Sequence, residues 1–203
     1  MTPARLLLAR HGETEWNRLG RYQGHADIPL NELGARQAQA LAERLSGESI
    51  SAIHASDLAR AAESARIVGA RVGVEPVLSP LWREINIGDL TGIHTSEIAA
   101  EYREILTATV RNGGGLAAGA ESIEDVERRL RVGYDSICAA HAGETVLVVG
   151  HGGTLKVLIA MLIGLPFEHI ENLSLRGNTS LSEISFAHGR AQLTMVNDTR
   201  HHT

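Results

Sequence analysis

Four junctions in this chain place reactive side chains at or shortly after the end of a short apolar run. The first is Arg10-His11-Gly12, which closes the stretch LLLARHG. The second follows SAIHAS, where Arg60 stands four residues beyond Ser56. The third is Arg83-Glu84, in the irregular segment after VEPVL, and the fourth is His151, at the end of TVLVVG. Two imidazoles, two or three guanidinium groups and a carboxylate make a set suited to an anion that can accept a nitrogen nucleophile. Phosphate fits that description best.

The residue types imply roles. Neutral His11 would attack phosphorus to give a phosphohistidine. Arg10 and Arg60 would bind the equatorial oxygens through their forked donors. His151 would donate to the same oxygens, most usefully as an imidazolium, and these groups would stabilise the transition state without a metal. Glu84 would protonate the leaving alkoxide and then take a proton from the attacking water. Gly152 and Gly153 follow His151 at an expected helix N-terminus, where free N–H groups favour an anion. Arg60 falls in the first turn of an expected helix. A cation there opposes the helix dipole, a placement that makes sense if an anion sits beside it.

Such groups act together only if the chain carries them to one edge. Residues 5–9, SAIHAS, VEPVL and TVLVVG read as short buried strands. Between them run helical patterns. NELGARQAQALAERL is expected to start at the N-cap Asn31 with Leu33, Gln37, Leu41 and Leu45 on one stripe. SDLARAAESARIVGARVG is expected to be capped by Ser56, and SIEDVERRLRVGYDSICAAHAG by Ser122 with Asp125 in capping-box-like spacing. GGTLKVLIAMLIGLP is a helix stopped by Gly164 and Pro166, and LSEISFAHGRAQLTMVN reads as two strands about a His-Gly turn. The alternation predicts an α/β, three-layer, doubly wound sandwich with a mostly parallel central sheet. Sites in such folds lie outside the carboxyl ends of the strands, where the four junctions fall. HTSEIAAEYREILTATVRNG is expected to be a helix within a small helical cap at about 92–119, inserted in a single domain spanning 1–203. Tyr22, Trp82, His94, Tyr102 and Leu106 are candidates for the cap's inner face.

Bulk properties narrow the partners. The 203 residues carry a net charge of −5, which gives no general case for binding nucleic acid or an anionic membrane. No apolar run reaches the ~18 residues of a membrane span. The single cysteine, Cys138, cannot form a disulfide within the chain and reads as packing in a helix. A cytoplasmic setting, a small phosphorylated metabolite as partner, no cofactor, and a monomer or homodimer are the expectations.

RHGETEWN, GRYQGHADIPLNELG, SDLARAAESA, LWREINIGDLTG and VLVVGHGGTLKVL together resemble the histidine phosphatase superfamily, also called phosphoglycerate mutase-like. The resemblance runs from about Arg5 to Asn197. It implies His11 as the phosphorylated nucleophile, Arg10, Arg60 and His151 as the phosphate pocket, and Glu84 as the proton donor. It adds Asn17 as a further phosphate contact and Gln23 and Gly24 at the pocket mouth. The compact span between Glu84 and His151, with REINIGDLTG, resembles the phosphatase branch more than the cofactor-dependent mutases. A smaller cap favours water as the acceptor. One departure is Ala120-Glu121-Ser122 where many relatives have Gly-Glu-Ser; this touches none of the expected catalytic groups.

Rival chemistries lack their signatures. Ten histidines invite a metal, yet no HExxH or paired-cysteine pattern is present. His201-His202 reads as an exposed terminal pair. G-x-S-x-G and the P-loop lysine motif are absent. A non-catalytic phosphate-binding module would keep Arg10, Arg60 and His151 but would not need His11 and Glu84 together.

Overall fold

The computed structural model describes residues 1–97 and 117–202. The expected cap at about 92–119, its helix, Tyr102 and Leu106 lie wholly or largely outside those residues.

Among the described residues six strands form one mixed sheet: β1 (Arg5–Arg10), β2 (Ile50–Ser56), β3 (Pro76–Ser79), β4 (Thr145–Gly150), β5 (Leu181–Ala187) and β6 (Arg190–Asp198). Their order is β3-β2-β4-β1-β5-β6. The first four are parallel, and the β5–β6 hairpin joins β1 antiparallel. His188 and Gly189 turn that hairpin with positive φ at both residues, the backbone that a tight two-residue turn requires.

The apolar run LLLA supplies both cores at once, because alternate strand residues face opposite ways. Leu6 and Leu8 join one core with α4 (Ile123–Ala140) and α5 (Gly152–Ile163). Leu7 and Ala9 join the other with α2 (Glu32–Leu45) and α3 (Ala59–Val72). All four are at most 1% exposed, and burying each leucine contributes roughly 1.5–3 kcal/mol. The result is helices on both faces of a mostly parallel sheet, the expected α/β architecture.

The helix ends mix agreement and correction. Asn31 caps α2 by accepting from Gly34 N–H, and Ser122 caps α4 by accepting from Asp125 N–H. Gly164, at φ 70, ends α5. The α2 stripe is rotated from expectation: Leu33 is 41% exposed, while Gly34, Ala38, Leu41, Ala42 and Leu45 are buried. Small residues win the inner face because α2 lies close to α3 and the loop after β1. Ser56 ends β2 rather than capping α3. The N-cap position is Leu58, and Asp27 Oδ1 receives the Ala59 N–H from across the loop. Trp82 is 2% exposed and packs in the core, so tightly against α4 that a Cβ at Gly133 would stand 2.7 Å from its ring.

Candidate active site

The carboxyl ends of β1, β2 and β4 lie side by side, with Arg10 opposite Gly150 and Ala55 opposite Val149. A cavity of about 700 Å³ opens above them. Arg10, His11, Asn17, Gln23, Gly24, Arg60, Glu84 and Gly152 line it. His151 lies beneath, its ring centroid 5.2 Å from that of His11. Every residue expected from the sequence to bind or transfer phosphate therefore falls at one place.

His11 extends the parallel ladder by donating its N–H to Gly150 O at 3.0 Å. Its carbonyl accepts from Thr179 N–H at 3.2 Å and Asn178 Nδ2 at 3.1 Å. Gly12 N–H goes to Ser64 Oγ on α3, and Gly12 must be glycine because a Cβ would stand 2.3 Å from Gly34 O. The imidazole is thus fixed by its backbone on both sides. Its Nδ1–H donates to Gly12 O at 2.6 Å, which leaves Nε2 with the lone pair. Burial, then Arg60 and Arg10, hold its pKa well below 6.5, so the ring is neutral and nucleophilic at neutral pH.

Arg60 is fully buried. Its Nη1 and Nη2 donate to Ala26 O and Gly24 O, at 2.7 and 2.8 Å, and its Nε donates to His151 Nδ1 at 3.2 Å. Burial lowers its pKa to about 10, still a full cation at neutral pH. Its hydrogen bond decides the state of His151. Nδ1 is an acceptor, so the proton sits on Nε2. Burial and then Arg60 push the ring's pKa well below 6.5. The imidazolium expected from the sequence is corrected to a neutral Nε2–H donor. That atom is buried and finds no hydrogen-bond partner among the described residues, as is also true of Arg10 Nε. The two are suited to the same anion, and Arg10 Nε lies 3.8 Å from where a Cβ on Gly152 would be.

The N-terminus of α5 does hold an acidic side chain, but it is that of Glu84. Gly153 N–H and Thr154 N–H donate to its two oxygens at 3.1 and 3.0 Å, and Ile85 N–H adds a third bond at 2.9 Å. The helix dipole reinforces these contacts. The free N–H groups expected to meet a substrate anion thus seat the carboxylate instead. Gly153 leaves room for this seat, because a Cβ would come within 2.7 Å of Glu84 Oε1.

Thr14, Ser64 and Asn178 were not singled out in the sequence. Thr14 is fully buried and donates its hydroxyl to Gln23 Oε1 and its N–H to Asn17 Oδ1. Asn178 Nδ2 also donates to Asn17 Oδ1. Both amide oxygens are turned inward, so Asn17 Nδ2 and Gln23 Nε2 are left for the cavity. Thr14 and Asn17 form a capping box at the start of α1 (Glu15–Arg18), and that T-x-x-N spacing was a readable signal. Ser64 and Asn178 carry no local signal; they brace the site through contacts distant in sequence, to Gly12 and to His11 and Asn17.

Tyr22, a candidate for the cap's inner face, lines this cavity, and Lys156, Ile170 and Arg176 join its walls. His94 does not; its Nδ1 pairs with Ser96 Oγ. Cys138 is partly buried on α4, away from the cavity. His201 and His202 are not simply exposed: both rings reach Thr179 Oγ1, behind the segment that braces His11. Among the described residues no cluster of three or more His, Cys, Asp or Glu side chains could hold a metal ion.

A sequence profile of the histidine phosphatase superfamily (branch 1) matches residues 6–199. The chain belongs to that superfamily. Among curated relatives of this superfamily member, a protein named probable phosphoglycerate mutase GpmB, from Yersinia pestis, is 37% identical over 183 residues. The match covers 89% of this chain and 84% of that protein. Among solved structures, a mycobacterial glucosyl-3-phosphoglycerate phosphatase in complex with VO3 superposes with a TM-score of 0.86 at 33% identity, covering 96% of this chain and 98% of that one. The phosphoserine phosphatase of Entamoeba histolytica, in complex with 3-phosphoglyceric acid, gives a TM-score of 0.86 at 30% identity, with 99% of each chain covered.

Proposed function

We propose that this protein is a metal-independent phosphatase that hydrolyses small phosphomonoesters through a phosphohistidine on His11. The observation that carries the reading is the pair of opposed imidazoles. His11 offers a lone pair at Nε2, and His151 offers a proton at its own Nε2.

In the first step His11 Nε2 bonds to phosphorus as the P–O ester bond breaks. Glu84, protonated, gives its proton to the leaving oxygen. Arg10, Arg60, Asn17, Gln23 and His151 hold the phosphoryl oxygens, and Gly24 and Gly152 let the backbone stand close. In the second step water attacks phosphorus, the P–N bond breaks, and Glu84 takes the water's proton. Inorganic phosphate leaves. Solved relatives named as phosphatases for phosphorylated glycerate and serine compounds support a small phosphorylated metabolite as substrate. A cap inserted at about 92–119 in a single domain would set which one.

The curated relatives named for phosphoglycerate mutase favour a second reading, in which the phosphohistidine returns its group to substrate. One experiment separates the two. The protein is assayed on p-nitrophenyl phosphate and a panel of sugar, glycerate and amino-acid phosphates, with and without EDTA, and for mutase activity on 3-phosphoglycerate with added bisphosphate. We expect hydrolysis unaffected by chelator, abolished in His11→Ala, and reduced in Glu84→Gln far more on alkyl phosphates than on p-nitrophenyl phosphate. The latter ester's leaving group needs little protonation. Chelator-sensitive turnover would overturn the metal-free mechanism, and bisphosphate-stimulated mutase activity would favour the second reading.

A further inference from the structure

Glu84 is held at its carboxylate by α5, but its backbone is held by a different group. Arg129, on α4, does not line the cavity, and its side chain is 15% exposed. Its Nη1 donates to Leu81 O at 2.8 Å and its Nη2 to Glu84 O at 3.0 Å. The guanidinium therefore spans the loop that carries the acid. Its other edge faces Glu121, with Nε to Oε1 at 2.9 Å and Nη2 to Oε2 at 3.1 Å.

Glu121 itself grips the far side of the same loop. Its Oε2 accepts from Asn86 N–H at 2.8 Å, and its own N–H donates to Asn86 O at 2.9 Å. His25 donates Nε2–H to the same Glu84 O at 2.8 Å, and that nitrogen lies 3.8 Å from Glu121 Oε2. Both lone pairs of that carbonyl are thereby engaged. The loop also bridges Ala120 through Ile87, and Asp89 N–H donates to Ala118 O. Gly88 permits this approach, with φ 54 and a Cβ position only 2.0 Å from Ala118 O. Ala120-Glu121-Ser122, which the sequence placed apart from the catalytic groups, thus lies against the acid loop.

We propose that Arg129, acting with Glu121 and His25, is a positioning residue that aims Glu84 at the leaving oxygen. This rests on the reading of Glu84 as proton donor. A carboxylate pinned only at its head could pivot with its backbone. Pinning Glu84 O and Leu81 O removes that freedom, and a displacement of about 1 Å at a reacting group can cost roughly 100-fold in rate. A salt bridge serving stability alone would need no contact with Glu84 O.

The test compares Arg129→Met, Arg129→Lys and Glu121→Gln with Glu84→Gln in the full chain. The readout is kcat/KM across esters whose leaving groups run from p-nitrophenol to a simple alcohol, together with thermal melting. Arg129→Met is expected to lose about 10-fold or more on the alkyl ester and about 3-fold or less on p-nitrophenyl phosphate, a weaker copy of Glu84→Gln. Arg129→Lys should regain part of the alkyl-ester rate, because an ammonium can still donate to one carbonyl. Equal losses on both esters in folded Arg129→Met, or no loss, would overturn the proposal. Should that variant fail to fold, Glu121→Gln and His25→Gln carry the same comparison and the same criterion. Equal losses in Glu84→Gln would instead remove the acid assignment and this proposal with it.

Discussion

Where the proton sits on each imidazole decides what the two histidines can do. His11 donates its Nδ1–H to Gly12 O, and His151 Nδ1 accepts the Nε–H of Arg60. The two rings therefore face the cavity in opposite roles, one with a lone pair and one with a donor. Both have pKa values pushed well below 6.5, first by burial and next by Arg60. A rate that needs neutral His11 should survive at pH values where an ordinary histidine is largely protonated. We expect kcat/KM, corrected for the substrate's own ionisation, to hold as pH falls through 6.5 and to decline only below that. A pH–rate profile measures this, and an acidic limb centred on 6.5 would contradict the assigned environment.

The elements matter through their ends. Helix α5 begins where β4 stops, and its first-turn N–H groups seat Glu84. Gly153→Ala tests that contact. The new methyl would stand 2.7 Å from Glu84 Oε1 and 3.0 Å from Ile85 Cδ1, so the carboxylate has to move. The expected result is a rate loss concentrated on esters with poor leaving groups, and a stability cost of about 1–3 kcal/mol. Urea unfolding and the leaving-group series measure the two effects. The order of strands and helices was legible along the chain because periods of 2.0 and 3.6 report local geometry. The start of α3 was not, because Asp27, distant in sequence, supplies the acceptor for Ala59 that Ser56 was expected to provide.

Across the whole molecule, histidine burial ties stability to pH. His11, His54, His151, His201 and His202 all have pKa values below 6.5, each with desolvation as the largest cause; that of His201 falls to about 4. In the unfolded chain these groups take up protons near 6.5, whereas the folded chain resists. The unfolded state then binds more protons, and stability falls as pH drops below about 6.5 toward the folded values. The melting temperature is expected to decline as pH falls below about 6.5, a fall that starts before carboxylate protonation begins. His151→Gln should flatten the slope; an unchanged slope would show that the ring titrates normally in the folded state.

The sequence by itself determined which reactive residues stand at strand ends, and hence that Arg10, His11, Arg60, Glu84 and His151 could share one edge of a parallel sheet. That much follows from local rules, since an apolar strand and the residue after it are neighbours in the chain. It also carried the family, through motifs in register over nearly its whole length. Only the tertiary structure decided the proton on His151, the seat of Glu84 on α5, and the clamp of Arg129 on the acid loop. Each depends on contacts between segments far apart in the chain: Arg60 with His151, Glu84 with Gly153 and Thr154, and Arg129 with Leu81 and Glu84. Residue spacing carries no direct record of such distances. Packing alone brings those donors and acceptors together, and burial then makes their pairing decisive.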